Sequence, residues 1–245
     1  MTDRHENNPD ARPQEQQFTE KNHYPSTPPV PRPFATAFDD RFLSSYHKGV
    51  MSYTYKGVSC LKSPIDLAIY MLLIYDLKPR SIIEIGSFHG GAALFYRDIC
   101  KSYDLDTRIV TVDYRVLESN PTTESADDIE FVHADAMDLA SSDLHAKLDS
   151  LPRPWLVIED SAHTRDVSLA VMCYFKDRMQ TGEYLIIEDG VIEDQGANWR
   201  YGGGPNLAVH DFFVEHPDEF ELDTSYNDFF GVNASFNPNG YLRKS

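Results

Sequence analysis

The chain has 245 residues, which suits one α/β domain with a sizeable core and is too short for two full domains with linkers. Its formal net charge of −17, from 22 Lys and Arg against 39 Asp and Glu, disfavours binding to nucleic acid or to an anionic membrane. Three cysteines match neither a disulfide framework nor a C-x-x-C metal motif, and neither an export signal nor a membrane-spanning run stands out. We therefore expect a cytoplasmic protein with reduced thiols.

The beginning of the chain is predicted to be a disordered tail, residues 1–35. Residues 1–33 hold seven of the fifteen prolines and few large apolar side chains, so that ordering them would bury too little surface. The alternative is an arm that becomes ordered on a partner subunit. The folded domain is predicted to be residues 36–245.

The first firm element is a helix that Ser63 caps. Pro64 suits its first position, Asp66 completes a capping-box pattern, and Pro79 ends the run. Residues 39–47, earlier in the chain, have a shorter helical pattern.

Short apolar runs rich in β-forming residues then alternate with helical patterns. Strands that are apolar on both faces and alternate with helices indicate a doubly wound parallel sheet. The predicted strands are 81–85, 108–112, 129–132, 155–159 and 184–188, and the predicted helices are 90–103, 139–149, 164–180 and 207–215. The chain ends in two strand-like segments, 219–224 and 232–236, the second continuing toward residue 241.

A glycine-bearing turn, E-I-G-S-F-H-G-G-A-A, follows the first predicted strand and opens a helix. Such a turn lets the backbone approach a ligand closely, and the helix start offers free N–H groups. The spacing from Gly86 to Gly90 differs from the dinucleotide fingerprint, which needs a glycine where Phe88 stands. We predict that Gly86, Ser87 and Gly90 bind a cofactor.

Three acids recur at successive predicted strands, and the cofactor they suit has a cationic end. Asp113 stands where a carboxylate accepts both ribose hydroxyls, and Asp135 could accept from an adenine amino group. Glu84, beneath the glycine turn, would repel a pyrophosphate but would suit S-adenosylmethionine, which carries an ammonium and a sulfonium. Taken singly, each acid could be a solvated surface carboxylate.

A second acidic group follows the fourth and fifth predicted strands, and it consists of Asp160, Glu188 and Asp189. Adjacent strands lie about 4.8 Å apart, so these carboxylates would repel one another unless a cation lay between them. Oxygen ligands select a hard ion, Mg²⁺ before Mn²⁺ or Ca²⁺. The competing interpretation is that these acids cap helices or neutralise lysines.

His163 lies three residues after Asp160 and is predicted to face the same cleft. Its ordinary pKa near 6.5 lets it accept a proton at neutral pH. It could also be a fourth metal ligand, or a helix-start histidine without a chemical role.

The order of these motifs resembles one protein family, the cephalosporin hydroxylase/rhamnosyl O-methyltransferases. The resemblance covers roughly residues 45–245 and is carried by S-P-I-D-L-A-I-Y, I-I-E-I-G-S-F-H-G-G-A-A, I-E-D-S-A-H, Y-L-I-I-E-D-G, G-G-G-P-N-L-A-V-H-D-F and N-P-N-G-Y-L-R-K. It implies a Rossmann-like class I methyltransferase fold, with a mostly parallel seven-stranded sheet and an antiparallel C-terminal strand. It also implies that the chain uses S-adenosylmethionine, usually with Mg²⁺, and forms a homo-oligomer. Such a protein would act in secondary metabolism, for example in antibiotic biosynthesis, or on sugars.

The acids are also similar in spacing to those of the catechol-type O-methyltransferases, where one acid precedes an adjacent metal-binding pair by 28 positions. Asp160 and Glu188 are 28 apart, and Asp189 comes next. In that class a lysine three positions after the first acid removes the hydroxyl proton, and His163 occupies that position here.

The mechanism that these residues suggest is an O-methyl transfer. Mg²⁺ on Asp160, Glu188 and Asp189 would bind a hydroxyl of a small molecule, His163 would accept its proton, and the oxygen would attack the sulfonium methyl. Asp160 and His163 are therefore the predicted catalytic pair. The alternatives are a non-catalytic S-adenosylmethionine-binding partner of another enzyme and an NAD-dependent oxidoreductase, which would leave Glu84 without a role.

Overall fold

The computed structural model describes residues 31–115 and 128–245. The prediction that residues 1–30 are disordered falls outside the described residues. Residues 31–35, the end of the predicted tail, pack against the domain: Arg32 forms an ion pair with Asp228, and Phe34 is only 7% exposed.

The elements that precede the main sheet form one side of the molecule. Helix α1 (Asp40–Val50) is capped by Asp39, and the strands β1 (Thr54–Tyr55) and β2 (Val58–Ser59) form a short antiparallel hairpin. Helix α2 (Pro64–Leu77) begins as predicted, because the side chain of Ser63 accepts from the Asp66 N–H.

The predicted alternation of strands and helices is confirmed. The elements are β3 (Ser81–Ile85), α3 (Gly91–Ser102), β4 (Arg108–Asp113), β5 (Ile129–His133), α4 (Asp143–Leu148), β6 (Trp155–Glu159), α5 (Arg165–Lys176), β7 (Tyr184–Ile187), α6 (Gly204–Glu215), β8 (Phe220–Leu222), α7 (Thr224–Asn227) and β9 (Tyr241–Lys244). Short 3₁₀ turns cover Ala136–Ser141, Gly190–Ile192 and Asn198–Arg200.

These strands form one seven-stranded sheet in the order β5-β4-β3-β6-β7-β9-β8. The pairings from β5 to β7 are parallel, whereas β9 pairs antiparallel with both β7 and β8. The predicted fold, a mostly parallel sheet with an antiparallel C-terminal strand, is confirmed. The chain leaves β3 toward β4 on one side and later returns to β6 on the other, and ligands bind at such a switch point, beyond the carboxyl ends of the strands.

The core lies on both faces of the sheet, because alternate strand residues point to opposite sides. On one face, Ile83 and Val157 belong to a buried cluster with residues of α5 and α6 such as Phe175 and Phe212. On the other face, Ile82 and other residues pack with α2 and α3. The strands that position the site are thus held rigidly from both sides.

Two predicted elements differ from the structure. The predicted strand 232–236 is wrong: Asn233 adopts a left-handed conformation with a φ of 52°, and its side chain binds the Pro33 and Ala35 carbonyls. The predicted helix 139–149 is broken at Ser142, whose ψ of 162° is extended and ends a 3₁₀ turn before α4 begins.

The described residues contain no helix that is both long and apolar enough to span a bilayer. All three cysteines are free thiols.

Candidate active site

Two adjoining cavities lie at the carboxyl ends of the parallel strands. The larger has a volume of about 410 Å³ and the smaller about 320 Å³. Four residues line both cavities, namely Gly86, Phe88, Asp160 and Ser161. The cleft therefore joins the glycine turn to the strand end where the second acidic group begins.

The glycine turn is held close to the next strand by backbone geometry. Gly86 has a φ of 112°, and a Cβ atom there would collide with the Asp160 carbonyl. Its N–H donates to the Val112 carbonyl at 2.7 Å. Gly90, with a φ of 79°, is the N-cap of α3 and is not among the residues lining either cavity. A larger residue at position 86 would separate the turn from β6, so glycine is required there.

Asp113 and Asp135 both line the smaller cavity, which their predicted roles in one cofactor site require. Asp113 accepts from the Phe88 N–H at 3.0 Å and from the Arg115 N–H at 2.9 Å. Asp135 accepts from the Met137 N–H at 2.9 Å. Asp113 thus also ties the glycine turn to β4, a structural role that the sequence did not reveal.

Glu84 lies inside β3, is fully buried, and lines the larger cavity. One carboxylate oxygen accepts from the Thr111 hydroxyl at 2.5 Å, and that hydroxyl lies 2.7 Å from the hydroxyl of Ser87. The other oxygen, Oε1, has no hydrogen-bond partner among the described residues. Burial raises the pKa of Glu84 to about 8. A cationic ligand group at Oε1 would satisfy this oxygen and favour the ionised carboxylate.

Asp160, His163 and Asp189 come together at the boundary of the two cavities. His163 Nε2 lies 3.4 Å from Asp189 Oδ2, and its Nδ1 lies 3.9 Å from Asp160 Oδ1. One potential ligand atom from each residue lies within 4.8 Å of the others. Burial lowers the pKa of His163, but the charges of Asp189 and Asp160 outweigh it, so that the pKa lies above its ordinary value.

Both carboxylate oxygens of Glu188 accept hydrogen bonds from other buried side chains. It is 3% exposed; Oε2 accepts from Lys62 Nζ at 2.5 Å and Oε1 from the Tyr70 hydroxyl at 2.5 Å. Lys62 Nζ also donates to Asp160 Oδ2. The predicted adjacency of the two strand ends is confirmed, since β6 pairs with β7. The predicted metal set, Asp160, Glu188 and Asp189, stays a prediction.

The far end of the larger cavity is formed by α1 and by the loop after β7. His47 Nδ1 and Gln195 Nε2 are 2.9 Å apart and bridge these two elements. Arg200 and Tyr201 also line this end, immediately before the run Gly202 to Gly204. Its apolar wall is made of Val50, Met51, Val191, Ile192 and Phe236. Polar groups around an apolar wall are typical of a site for a small organic molecule.

The sequence did not reveal Lys62, Tyr70, His47 or Gln195 as site residues. Lys62 is 98 positions from Asp160 and 126 from Glu188, and no local pattern marks it. The signal available in the sequence was the cluster of acids itself. Buried carboxylates need a positive charge nearby, and a lysine can supply that charge.

Known proteins share sequence and fold with this chain. Residues 47–245 match the family model described as Rhamnosyl O-methyltransferase/CmcI. The rhamnosyl O-methyltransferase of Mycobacterium tuberculosis strain H37Rv is 28% identical over 210 residues, which cover 83% of this chain and 85% of that protein. The Mycobacterium leprae protein of the same name is also 28% identical over 210 residues, covering 83% of this chain and 90% of its own.

Solved structures of CmcI have the same fold. An apo structure has a TM-score of 0.63 and 26% identity, and the match covers 79% of this chain and 76% of that one. A structure of CmcI with Mg and SAM has a TM-score of 0.64 and 24% identity, covering 91% of this chain and 88% of that one.

Proposed function

The chain belongs to the Rhamnosyl O-methyltransferase/CmcI family, and we propose that it transfers the methyl group of S-adenosylmethionine to a hydroxyl of a small molecule with the help of Mg²⁺. The observation that carries this proposal is the pair of adjoining cavities that share Gly86 and Asp160. A cofactor bound along the glycine turn would end beside the Asp160, His163 and Asp189 side chains. Methyl transfer requires such a placement, because much of the acceleration comes from alignment.

The cofactor is proposed to lie across both cavities. In the smaller one, Asp113 would accept from the ribose hydroxyls and Asp135 from the adenine amino group. In the larger one, the unpartnered Oε1 of Glu84 would accept from the ammonium group. Gly86 lets the backbone approach the ligand, and Ser87 holds Thr111 and through it Glu84. Gly90, which lines neither cavity, is the N-cap of α3 and would contribute through the free N–H groups at that helix start.

The donor set of the acid group suits a hard divalent cation. Asp160, Glu188 and Asp189 are proposed as its protein ligands. Mg²⁺ prefers oxygen ligands and keeps several waters, so these carboxylates fit it. When bound, Mg²⁺ supplies a charge that lowers the pKa of a hydroxyl at this site.

His163 is proposed as the general base. Its imidazole lines the larger cavity and lies between Asp160 and Asp189, which fix the ring and stabilise the protonated form. The proton of the acceptor hydroxyl would move to His163 as the oxygen attacks the methyl carbon, whose bond to the sulfonium sulfur would break and release neutral S-adenosylhomocysteine.

The acceptor is proposed to be a small molecule, a natural product or a sugar moiety bearing a hydroxyl. A cavity of about 410 Å³ lies within the range of small-molecule sites. The mycobacterial relatives are named for action on a rhamnosyl group, which favours a sugar hydroxyl as one candidate. The expected homo-oligomer and the absence of nucleic-acid or membrane partners stay predictions.

Incubation with labelled S-adenosylmethionine, Mg²⁺ and a metabolite extract of the producing cell tests this function. We expect one metabolite to gain the mass of a CH₂ group and the label together, and EDTA to abolish the gain. The protein could instead bind the labelled cofactor but form no labelled product in any extract that contains hydroxyl-bearing metabolites. That result would indicate a non-catalytic binding partner of another enzyme. A product formed equally well in EDTA would remove the metal from the mechanism.

A further inference from the structure

The loop that carries Asp189 lies against the turn N-P-N-G, which leads into β9. The Ile187 N–H donates to the Gly240 carbonyl at 2.8 Å, and the Val191 N–H donates to the Phe236 carbonyl at 3.0 Å. These two bonds fix the chain two residues before and two residues after Asp189. The N-P-N-G turn therefore determines the course of the loop after β7.

Asp189 itself is held by a side chain of that turn. Its N–H donates to the amide oxygen Oδ1 of Asn237 at 2.9 Å, across 48 positions of sequence. Asp189 has a left-handed backbone with a φ of 56°, which residues other than glycine adopt infrequently and which persists where the surrounding structure imposes it. The Asn237 amide is thus the contact that holds the Asp189 backbone, and with it the direction of the carboxylate.

Asn237 is buried, at 1% exposed, and its own backbone is fixed at both ends. Its N–H donates to the Ser235 hydroxyl at 2.8 Å, and its carbonyl accepts from the Gly240 N–H at 2.8 Å. The Phe236 N–H, one residue earlier, donates to the buried carboxylate of Asp66 on α2 at 2.9 Å. The amide that holds Asp189 is therefore anchored through its turn to a helix of the core.

We propose that Asn237 is a positioning residue of the metal site, which sets the direction of one proposed ligand by holding the Asp189 backbone. This inference rests on the proposed function, since Asp189 matters here as a ligand of that metal. Asn237 lines neither cavity, whereas Asp189 lines the larger one. It therefore acts through Asp189 and not by contact with the cofactor or the acceptor.

The inference predicts that loss of the amide weakens metal binding without weakening cofactor binding. Asn237→Ala is expected to raise the dissociation constants of the full chain for Mg²⁺ and Mn²⁺ by about tenfold or more, because groups that orient a metal ligand contribute to affinity on this scale. The dissociation constant for S-adenosylhomocysteine is expected to stay within about threefold of the wild type. Calorimetry measures Mg²⁺ and S-adenosylhomocysteine, and electron paramagnetic resonance measures Mn²⁺.

Two further variants separate positioning from a general loss of stability. Asn237→Asp keeps an oxygen acceptor for the Asp189 N–H and is expected to bind both ions at least as tightly as the wild type. Asn239→Ala is the matched control, since Asn239 is a buried asparagine of the same turn whose amide donates to the Pro33 carbonyl at 3.1 Å. It is expected to lower the free energy of unfolding in urea but to leave both ion affinities within about threefold of the wild type.

Unchanged ion affinity in a folded Asn237→Ala variant would overturn the inference and leave the proposed function intact. So would a loss of ion affinity in Asn237→Asp or in Asn239→Ala as large as in Asn237→Ala. If Asn237→Ala does not fold, Asn237→Leu, which fills the space without an acceptor, carries the same expectation. A wild type that binds neither ion would reject the metal site of the proposed function itself, and the role of Asn237 with it.

Discussion

Asp113 and Asp135, at the proposed nucleotide end of the cleft, differ in burial and in the kind of partner from Glu84 and Glu188, which lie toward its acidic end around Asp160. Asp113 and Asp135 are partly or fully exposed and accept from backbone N–H groups of nearby turns. Glu84 and Glu188 are buried and accept from the side chains of distant elements, Thr111 on β4 for the first and Lys62 with Tyr70 for the second.

This difference has a simple physical origin. A carboxylate at or beyond a strand end is exposed to solvent, so it can stay ionised without a ligand at little cost in free energy. A carboxylate held in the core must be protonated or paired, because burial of an uncompensated charge is costly. The buried carboxylates toward the acidic end therefore favour the binding of a cationic ligand group or a metal ion.

The largest effect should come from removing a carboxylate that faces the cleft at the acidic end. Asp189→Ala is expected to lower kcat for methyl transfer by about 10³-fold, because the charge proposed to hold the cation beside His163 is lost. Calorimetry should find the dissociation constant of S-adenosylhomocysteine within about threefold of the wild type.

Asp166→Ala is the matched control, since that side chain is 73% exposed and pairs with the adjacent Arg165. Methyl transfer that survives in Asp189→Ala at the control's rate would place the chemistry elsewhere.

At the nucleotide end we expect a smaller effect, on cofactor binding and not on kcat. Asp113→Ala should weaken binding of S-adenosylhomocysteine by about 100-fold, because two hydrogen bonds from ribose hydroxyls to a charged acceptor are lost. At saturating cofactor kcat should change little. Calorimetry and initial rates separate the two readouts, with the exposed Asp218→Ala as control. Cofactor affinity equal to that of the control would remove Asp113 from the cofactor site.

The buried carboxylate of Glu84 predicts a dependence of stability on pH. Its folded pKa of about 8 exceeds the ordinary value of 4.5, so the folded state holds a proton that the unfolded state has released. The Glu84 contribution to the free energy of unfolding should therefore fall as pH rises from 4.5 through 8, and stay constant above that.

Urea unfolding of the ligand-free protein across this range should show the fall, and Glu84→Gln should reduce it by about 5 kcal/mol, since each unit of pKa difference corresponds to about 1.4 kcal/mol. The exposed Glu221→Gln serves as the control. A difference between the wild type and Glu84→Gln that is the same at every pH would contradict the raised pKa.

Much of the fold was predictable because its signals are local. The apolar runs of β3 to β7 and the cap of α2 at Ser63 each depend on neighbouring residues, and they appear where they were predicted. The strand predicted at 232–236 failed because tertiary contacts decide there: Asn233 binds the carbonyls of Pro33 and Ala35, some 200 positions away. Such contacts override a β-forming composition.

The candidate site divides in the same way. Asp160 and Glu188 could be brought together from sequence, since parallel strands end at one edge of the sheet. Lys62 could not, because it lies 126 positions from Glu188 and the packing of α2 against the sheet brings the two together, which no spacing encodes. The bridge between His47 and Gln195 was hidden for the same reason.

The central claim is that one cleft holds the methyl group of the cofactor beside the Asp160 and Asp189 carboxylates. Nuclear magnetic relaxation of carbon-13 in the methyl of labelled S-adenosylmethionine, with Mn²⁺ as the bound cation, tests it directly. We predict strong paramagnetic relaxation that EDTA abolishes and that Asp189→Ala lacks. Binding of both ligands to the wild type without any such relaxation would contradict the account.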